Sequence, residues 1–317
     1  MANELKEVER VEILTLQDNY IDLLARDNSE VITRALPRDG KYIRNSILAE
    51  HGFSALMAAT VDSRTRYILF DFGFSEHGAA YNADILGADL SQVEIVVLSH
   101  GHPDHTGGML ELGKRLNRTQ LPLVVHPAAF RANRYNIMPT GVKAHFPPFT
   151  RQKVQEAGME PLESEAPLWI LEGTALVLGQ VPRTTDFEKG VPSFRYEEEG
   201  QEKADAIEDD TAIAFNLKGK GLVIVSGCAH SGIVNTVKYA QAVTGVNRVH
   251  AVMGGFHLTG ADYDSVIRPT TEALKEISPD YLLPTHCTGR QAMEVMEKEM
   301  PESFILNMSG TKITFAA

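Results

Sequence analysis

Three histidines and an aspartate stand within six residues in His100-Gly101-His102-Pro103-Asp104-His105. In an extended loop His100 and His102 project to the same side, so both imidazoles can grip one cation. Asp104 and His105 come where the chain turns into a helix, in reach of a second cation beside the first. Imidazole with carboxylate suits zinc, iron or manganese, and two such ions ~3.5–4 Å apart can share a water, lower its pKa and polarise a substrate oxygen. Gly101 permits a tight bend, and Gly107-Gly108 a close approach of the helix start. The cluster reads as the centre of a metal-dependent enzyme rather than as partnerless surface histidines.

Such a cluster needs a frame. Val93-Glu94-Ile95-Val96-Val97-Leu98 is nearly continuous apolar sequence, a buried strand that delivers the histidines at its end. Residues 54–60 and 66–70 read as two strands joined by Asp62-Ser63-Arg64 and feeding Asp71-Phe72-Gly73, after an opening strand over 11–16. A helix follows Gly107-Gly108 with Met109, Leu110, Leu112 and Leu116 on one face, and a short strand covers 123–126. The last third repeats one pattern: strands over 222–226, 249–253 and 281–283 each run into small or turn residues and then a histidine, His230, His257 or His286. Strands alternating with helices predict an α/β fold with ligands beyond the strand carboxyl ends. The polar segment 18–47, with Pro37, Asp39 and Gly40, reads as an excursion that could cover or gate something nearby. Residues 130–149 read as an irregular, substrate-facing insertion, and 201–210 as an acidic loop.

A net charge of -12 argues against a nucleic-acid surface. It leaves room for a small anionic substrate, because bound divalent ions bring local positive charge. The start Met1-Ala2-Asn3-Glu4-Leu5-Lys6 lacks a secretory pattern, and no apolar run approaches the ~20 residues of a membrane helix. With only Cys228 and Cys287 there is no disulfide framework, so a cytoplasmic protein is the default expectation. No linker divides the chain: one domain over 1–317 is expected, with insertions near 18–48 and 130–165. Neither a nucleic-acid nor a membrane partner is expected; a homo-oligomer is left open.

The stretch Leu98-Ser99-His100-Gly101-His102-Pro103-Asp104-His105-Thr106-Gly107-Gly108 resembles the signature of the metallo-β-lactamase superfamily. Glu50-His51-Gly52-Phe53-Ser54, Ser226-Gly227-Cys228-Ala229-His230-Ser231-Gly232, Gly254-Gly255-Phe256-His257-Leu258 and Pro284-Thr285-His286-Cys287-Thr288-Gly289 resemble its dihydropterin-aminobenzene-phosphate synthase-like branch. The resemblance implies a four-layer αβ/βα sandwich of two mixed sheets with helices outside. It implies one or two divalent ions, zinc first, with iron, manganese or magnesium as alternatives. Asp71 would support the site without chelating, fixing a ligand histidine's tautomer, and His286 matches the late histidine ligand.

Two departures stand out against the superfamily pattern. The usual middle histidine is missing, since the corresponding stretch reads Leu178-Gly179-Gln180-Val181-Pro182-Arg183-Thr184, and Cys228 occupies the place of the usual bridging aspartate. His230 is the replacement ligand, so that His100, His102 and His230 would hold one ion and Asp104, His105 and His286 the other. Cys228 can bridge as a thiolate, sit beside the ions or simply pack. Cys287 reads as a small core residue; Asp209 and Asp210 precede a strand and could support the site, but read first as an acidic turn. His257 takes a substrate or acid/base role near the ions, beside Asp104 in catalysis. His51 is ambiguous, and His77, His126, His145 and His250 read as structural or solvated. Arg183 is the first choice of cation for an anionic substrate, with Arg131 and Arg134 behind it.

The activity so implied is hydrolysis of a small, phosphorylated or heterocyclic substrate by a metal-bound hydroxide. The alternative is the branch's synthase-type transfer, which joins a dihydropterin-methyl unit to ribofuranosylaminobenzene 5′-phosphate. An iron redox enzyme and a non-catalytic sensor rank lower: there is no spare length for a flavin domain, and the cluster is intact.

Overall fold

The computed structural model describes residues 4–317 except 39, 44, 191 and 192; Met1–Asn3 and Asp39 of the excursion therefore lie outside the described residues. Val93, Val96 and Leu98 pack on one side of their strand and Ile95 and Val97 on the other. Because successive strand residues face opposite ways, an apolar run like this one must be covered on both faces. The strand Gly221–Ser226 behaves likewise, sending Leu222 and Ile224 outward and Val223 and Val225 inward.

These two strands belong to different sheets. The eight-stranded sheet runs Met159–Glu163, Leu121–Val125, Val93–Val97, Arg64–Phe70, Ser54–Val61, Arg10–Gln17, Lys312–Ala316, Ile32–Thr33. The seven-stranded sheet runs Leu168–Ile170, Ala175–Val177, Ala212–Leu217, Gly221–Ser226, Val249–Gly255, Tyr281–Thr285, with Glu7–Val8 alongside Ala212–Leu217. Their inner faces meet in one core of Val11, Ile13, Phe53, Met57, Phe70 and Val97 against Ile213, Phe215, Val223, Met253 and Leu283. Outside the first sheet lie the helices Gly78–Leu86, Met109–Leu116 and Arg151–Glu156; outside the second, Ile233–Thr244, Asp264–Ile277 and Arg290–Glu299. The result is the expected four-layer αβ/βα sandwich.

Parallel pairs need crossovers. The helices Ile233–Thr244 and Asp264–Ile277 supply them between Gly221–Ser226, Val249–Gly255 and Tyr281–Thr285. Consequently Cys228, His257 and His286 all emerge at one edge. The hairpin of Ser54–Val61 and Arg64–Phe70 closes through Asp62 and Ser63, both left-handed (φ 47° and 64°), the geometry that matches strand twist in a two-residue turn.

Several expectations need correction. Residues 130–149 and 201–210 are not simply loops. Arg134–Ile137, Lys143–His145, Phe194–Glu198 and Gln201–Ala204 make a separate four-stranded sheet. Their residues are mostly polar and half-exposed, so no apolar alternation marks them. The left-handed Glu199-Gly200 turn was the available signal. Within the supposed insertion 130–165, Met159–Glu163 is an edge strand of the main sheet, paired with Leu121–Val125. Leu110 is exposed rather than sharing the buried face of Met109, Leu112 and Leu116. No helix among the described residues is long and apolar enough to cross a membrane.

Candidate metal centre

Asp71 follows Arg64–Phe70 in a left-handed conformation (φ 58°) and is fully buried. Its Oδ1 accepts from the Ser99 amide (2.7 Å); its Oδ2 accepts from Ser99 Oγ (2.7 Å) and His105 Nδ1 (2.6 Å). With the His105 proton held at Nδ1, Nε2 faces Cys228 Sγ at 3.1 Å and Asp104 Oδ2 at 3.7 Å. Burial disfavours the His105 cation, but Asp71 and Asp104 outweigh it and raise its pKa to about 9. Asp104 is held well below the usual carboxylate range: burial opposes its charge, and His105, His286 and His51 prevail.

Ser99 Oγ, having given its proton to Asp71, lies 3.0 Å from His100 Nδ1 and leaves His100 Nε2 without a protein partner. The Nε2 of His102 and both ring nitrogens of His230 are likewise buried and unpartnered. Burial lowers the pKa of all three rings, that of His102 to about 3 with help from Arg134. Neutral imidazoles with free lone pairs are what a metal ligand requires.

The strand ends gather these groups. One ligand atom each from Asp104, His105, Cys228 and His286 lie within 4.8 Å of one another, as do those of His100, Cys228 and His230. The His102 ring centre is 4.5 Å from that of His100 and 4.8 Å from that of His230. Asp104, His105 and His286 are thus brought together, as are His100 and His230 with the His102 ring beside them, and Cys228 is common to the two groups. The donor set fits divalent ions of intermediate softness. Gly227 is dictated by this packing: a Cβ there would stand 2.1 Å from Ser99 Oγ. Gly107 is too, since its Cβ would meet the Phe74 carbonyl oxygen at 1.6 Å, which explains the close approach of the helix start. Ala229, His257 and His286 are left-handed (φ 48°, 45° and 46°), so each of the three late strand ends carries a constrained residue at the centre.

Two supports carry no expectation from the sequence, and a third reads there first as a mere acidic turn. Asp18, buried at the end of Arg10–Gln17, accepts from the His286 amide at 2.9 Å and from Asn307 Nδ2 at 2.7 Å. Asn19 Oδ1 lies 3.0 Å from His286 Nδ1, which leaves His286 Nε2 3.2 Å from Asp104 Oδ2, close but not aligned as a hydrogen bond. The excursion 18–48 therefore orients a histidine at its first residues, and none of its described residues lines the cleft. The cue was a polar Asp-Asn pair directly after an apolar strand. Asp209 is the third support, and more than an acidic turn. Its Oδ2 accepts from the Gly101 amide at 2.7 Å, and both its oxygens take the fork of Arg134 at 2.9 and 3.0 Å. Asp210, its neighbour, accepts from the Ser231 amide, and burial raises its pKa to about 6.

The expected substrate cations sit elsewhere. Arg134 is buried and saturated by Asp205 and Asp209; Arg131 pairs with Asp205 and Glu208. Arg183 donates to the carbonyls of Ala206 and His230 and does not line the cleft. The cleft of about 810 Å³ opens over His102, Asp104, His51 and His257. Phe146 and Phe194 flank the His102 ring at 4.9 and 5.0 Å, and Phe149, Phe74 and Met138 extend the wall. Lys153 adds a cation and His145 an imidazole to the lining, so His145 is at the cleft rather than merely solvated. His51 Nε2 is 3.3 Å from Asp104 Oδ2. His126 caps the turn Pro127–Phe130, His250 pairs with Asp280, and His77 precedes a helix.

Residues 57–240 match the family model of the metallo-β-lactamase superfamily. The chain is 30% identical over 292 residues to the 7,8-dihydropterin-6-methyl-4-(β-D-ribofuranosyl)-aminobenzene-5′-phosphate synthase of Methanocaldococcus jannaschii, covering 91% of this chain and 97% of that one. A second protein of that archaeon, uncharacterized, is 29% identical over 253 residues, covering 77% of this chain and 86% of its own length. Among solved structures, Tm1679, described as a metal-dependent hydrolase of the β-lactamase superfamily, aligns with a TM-score of 0.71 at 25% identity, covering 97% of this chain and all of that one. YhfI of Bacillus subtilis shares the fold, with a TM-score of 0.53 at 13% identity over 96% of this chain and 100% of its own. The chain belongs to the metallo-β-lactamase superfamily, in the branch that includes the dihydropterin-aminobenzene-phosphate synthase.

Proposed function

We propose that this protein is a metal-dependent hydrolase of a small, flat heterocyclic or phosphorylated molecule. The observation that carries the reading is the set of buried, partnerless nitrogens on His100, His102 and His230, beside Asp104, His105 and His286, opening into an aromatic-walled cleft. Divalent ions held there supply an acidified water and a counter-charge for a developing oxyanion. The protein's own part is orientation. Asp71 and Asn19 set the tautomers of His105 and His286. Phe146 and Phe194 offer ring faces on which a planar substrate stacks, while Lys153 at the cleft faces an anionic group. His257 lines the same cleft with its Nδ1 free of protein partners, placed to pass a proton to the leaving group.

The synthase-type transfer is the second reading, favoured by the 30% identical relative over nearly the whole chain and by a cleft with room for two ring systems. Phosphate and diphosphate esters of hydroxymethyl heterocycles, incubated in isotopically labelled water with and without an arylamine, separate the two. Label in the product, independent of the amine, supports hydrolysis; an amine-dependent C–N product sinks it in favour of transfer.

Two variants test the site. His102→Ala is expected to lower metal content, read by elemental analysis, and to reduce turnover by about 100-fold or more; wild-type metal content and rate would refute the ligand role. Phe146→Ala is expected to raise KM about 10-fold through the loss of ~1–2 kcal/mol of stacking, with little change in kcat.

A further inference from the structure

Cys228 and Cys287 are the only sulfhydryls, both buried, with their Sγ atoms 3.1 Å apart. They arrive from different strand ends, Gly221–Ser226 and Tyr281–Thr285, and His257 arrives from the strand between, Val249–Gly255. One ligand atom from each of the three lies within 4.8 Å of the others. Among the described residues the two sulfurs also face His105 Nε2 and the Cys228 carbonyl, the latter a long 3.8 Å contact, and His257 lies in hydrogen-bonding reach of Cys287. The Nδ1 of His257 is buried with no protein partner. Two sulfurs and an imidazole make a softer donor set than the histidines and aspartate beside them, and soft sets select thiophilic ions.

We propose that Cys228, Cys287 and His257 form a third metal position beneath the centre, one that takes a thiophilic divalent cation. It rests on the metal-centre reading only through Cys228, which belongs to all three donor groups. Each thiol releases its proton to solvent as its sulfur binds, so one divalent ion replaces two protons and the group stays charge-neutral. The sulfurs must part from 3.1 Å to roughly 3.8 Å to share an ion at the usual ~2.3 Å zinc–sulfur distance. An ion here draws Cys228 away from the other two groups and engages His257, so the thiophilic ion competes both with any bridging role of that thiolate and with proton transfer by that imidazole.

Cadmium titrated into the full chain tests this. In the wild type the sulfur-to-cadmium charge-transfer absorbance should reach the amplitude of two thiolates per ion. Cys287→Ser and Cys287→Ala should halve it, His257→Ala should move the midpoint to higher cadmium, and His102→Ala should leave the amplitude unchanged. Cadmium NMR of the wild type reads the number of sulfur ligands without any substitution. Full amplitude in the Cys287 variants would overturn the proposal while leaving Cys228 as a lone thiolate of the main centre. Absence of free thiols in the denatured, unreduced protein would overturn it as well, since the pair would then be a disulfide.

Discussion

Arg134→Met is expected to destabilise the protein by about 3–5 kcal/mol, because it strips the cation from two buried carboxylates. Arg134 is 3% exposed and binds Asp205 at 2.7 Å and Asp209 at 2.9 and 3.0 Å. Methionine fills the space but leaves Asp209 without a cation and Asp205 with Arg131 alone. Thermal or urea unfolding measures the cost, and pH gives it a signature. Burial opposes the Asp209 charge, but Arg134 overcomes it and holds the group well below the usual carboxylate range. That depressed pKa stabilises the wild type above an unfolded value of about 3.9, and the contribution is lost as pH falls below it. In the variant burial is opposed mainly by the Gly101 amide and no longer by Arg134, so Asp209 protonates more readily and the deficit shrinks between pH 7 and pH 4. A deficit constant across that range would show that lost packing, not unpaired charge, is responsible. Because Asp209 also holds the Gly101 amide, the variant should bind metal more weakly at His100 and His102 even where it remains folded.

Asp71→Asn is the second large effect. Asparagine tolerates the left-handed backbone at this position and nearly matches the shape. Its amide cannot accept at both oxygens, so one bond from Ser99 or His105 is lost and the His105 tautomer is no longer fixed. Metal affinity should fall about 10–100-fold, read by competition with a chromogenic chelator. Asp71→Ala should additionally lose roughly 2–4 kcal/mol, since the Ser99 donors are left unsatisfied in a fully buried site and alanine is strained at φ 58°. Wild-type chelator competition by Asp71→Asn would remove Asp71 from the centre's support.

The cluster from His100 to His105, the strand that carries it and the three late strand-end histidines were legible in sequence because their signals are local. Imidazoles at short spacing, a continuous apolar run and repeated strand-to-turn endings need no partner to be recognised. Arg183 shows the limit of such signals: its type suited an anion, but the fold turns its Nη2 to the carbonyls of Ala206 and His230 and keeps the residue off the cleft. The cleft's aromatic wall was illegible for a related reason. Phe146 and Phe194 lie 48 residues apart on segments without apolar periodicity, and only the pairing of Arg134–Ile137 with Phe194–Glu198 brings them to either side of His102.

The sequence by itself determined that a metal-binding loop ends a doubly buried strand, and that Cys228 stands where a carboxylate is usual. Tertiary structure alone decided what surrounds them. Asp18 reaches His286 across 268 positions of chain, Asp209 reaches Gly101 across 108, and Cys287 meets Cys228 across 59. Hydrogen bonds and sulfur contacts act only over a few ångströms. Which groups come that close is set by how two sheets stack and where parallel strands end, and no local pattern of residues encodes that.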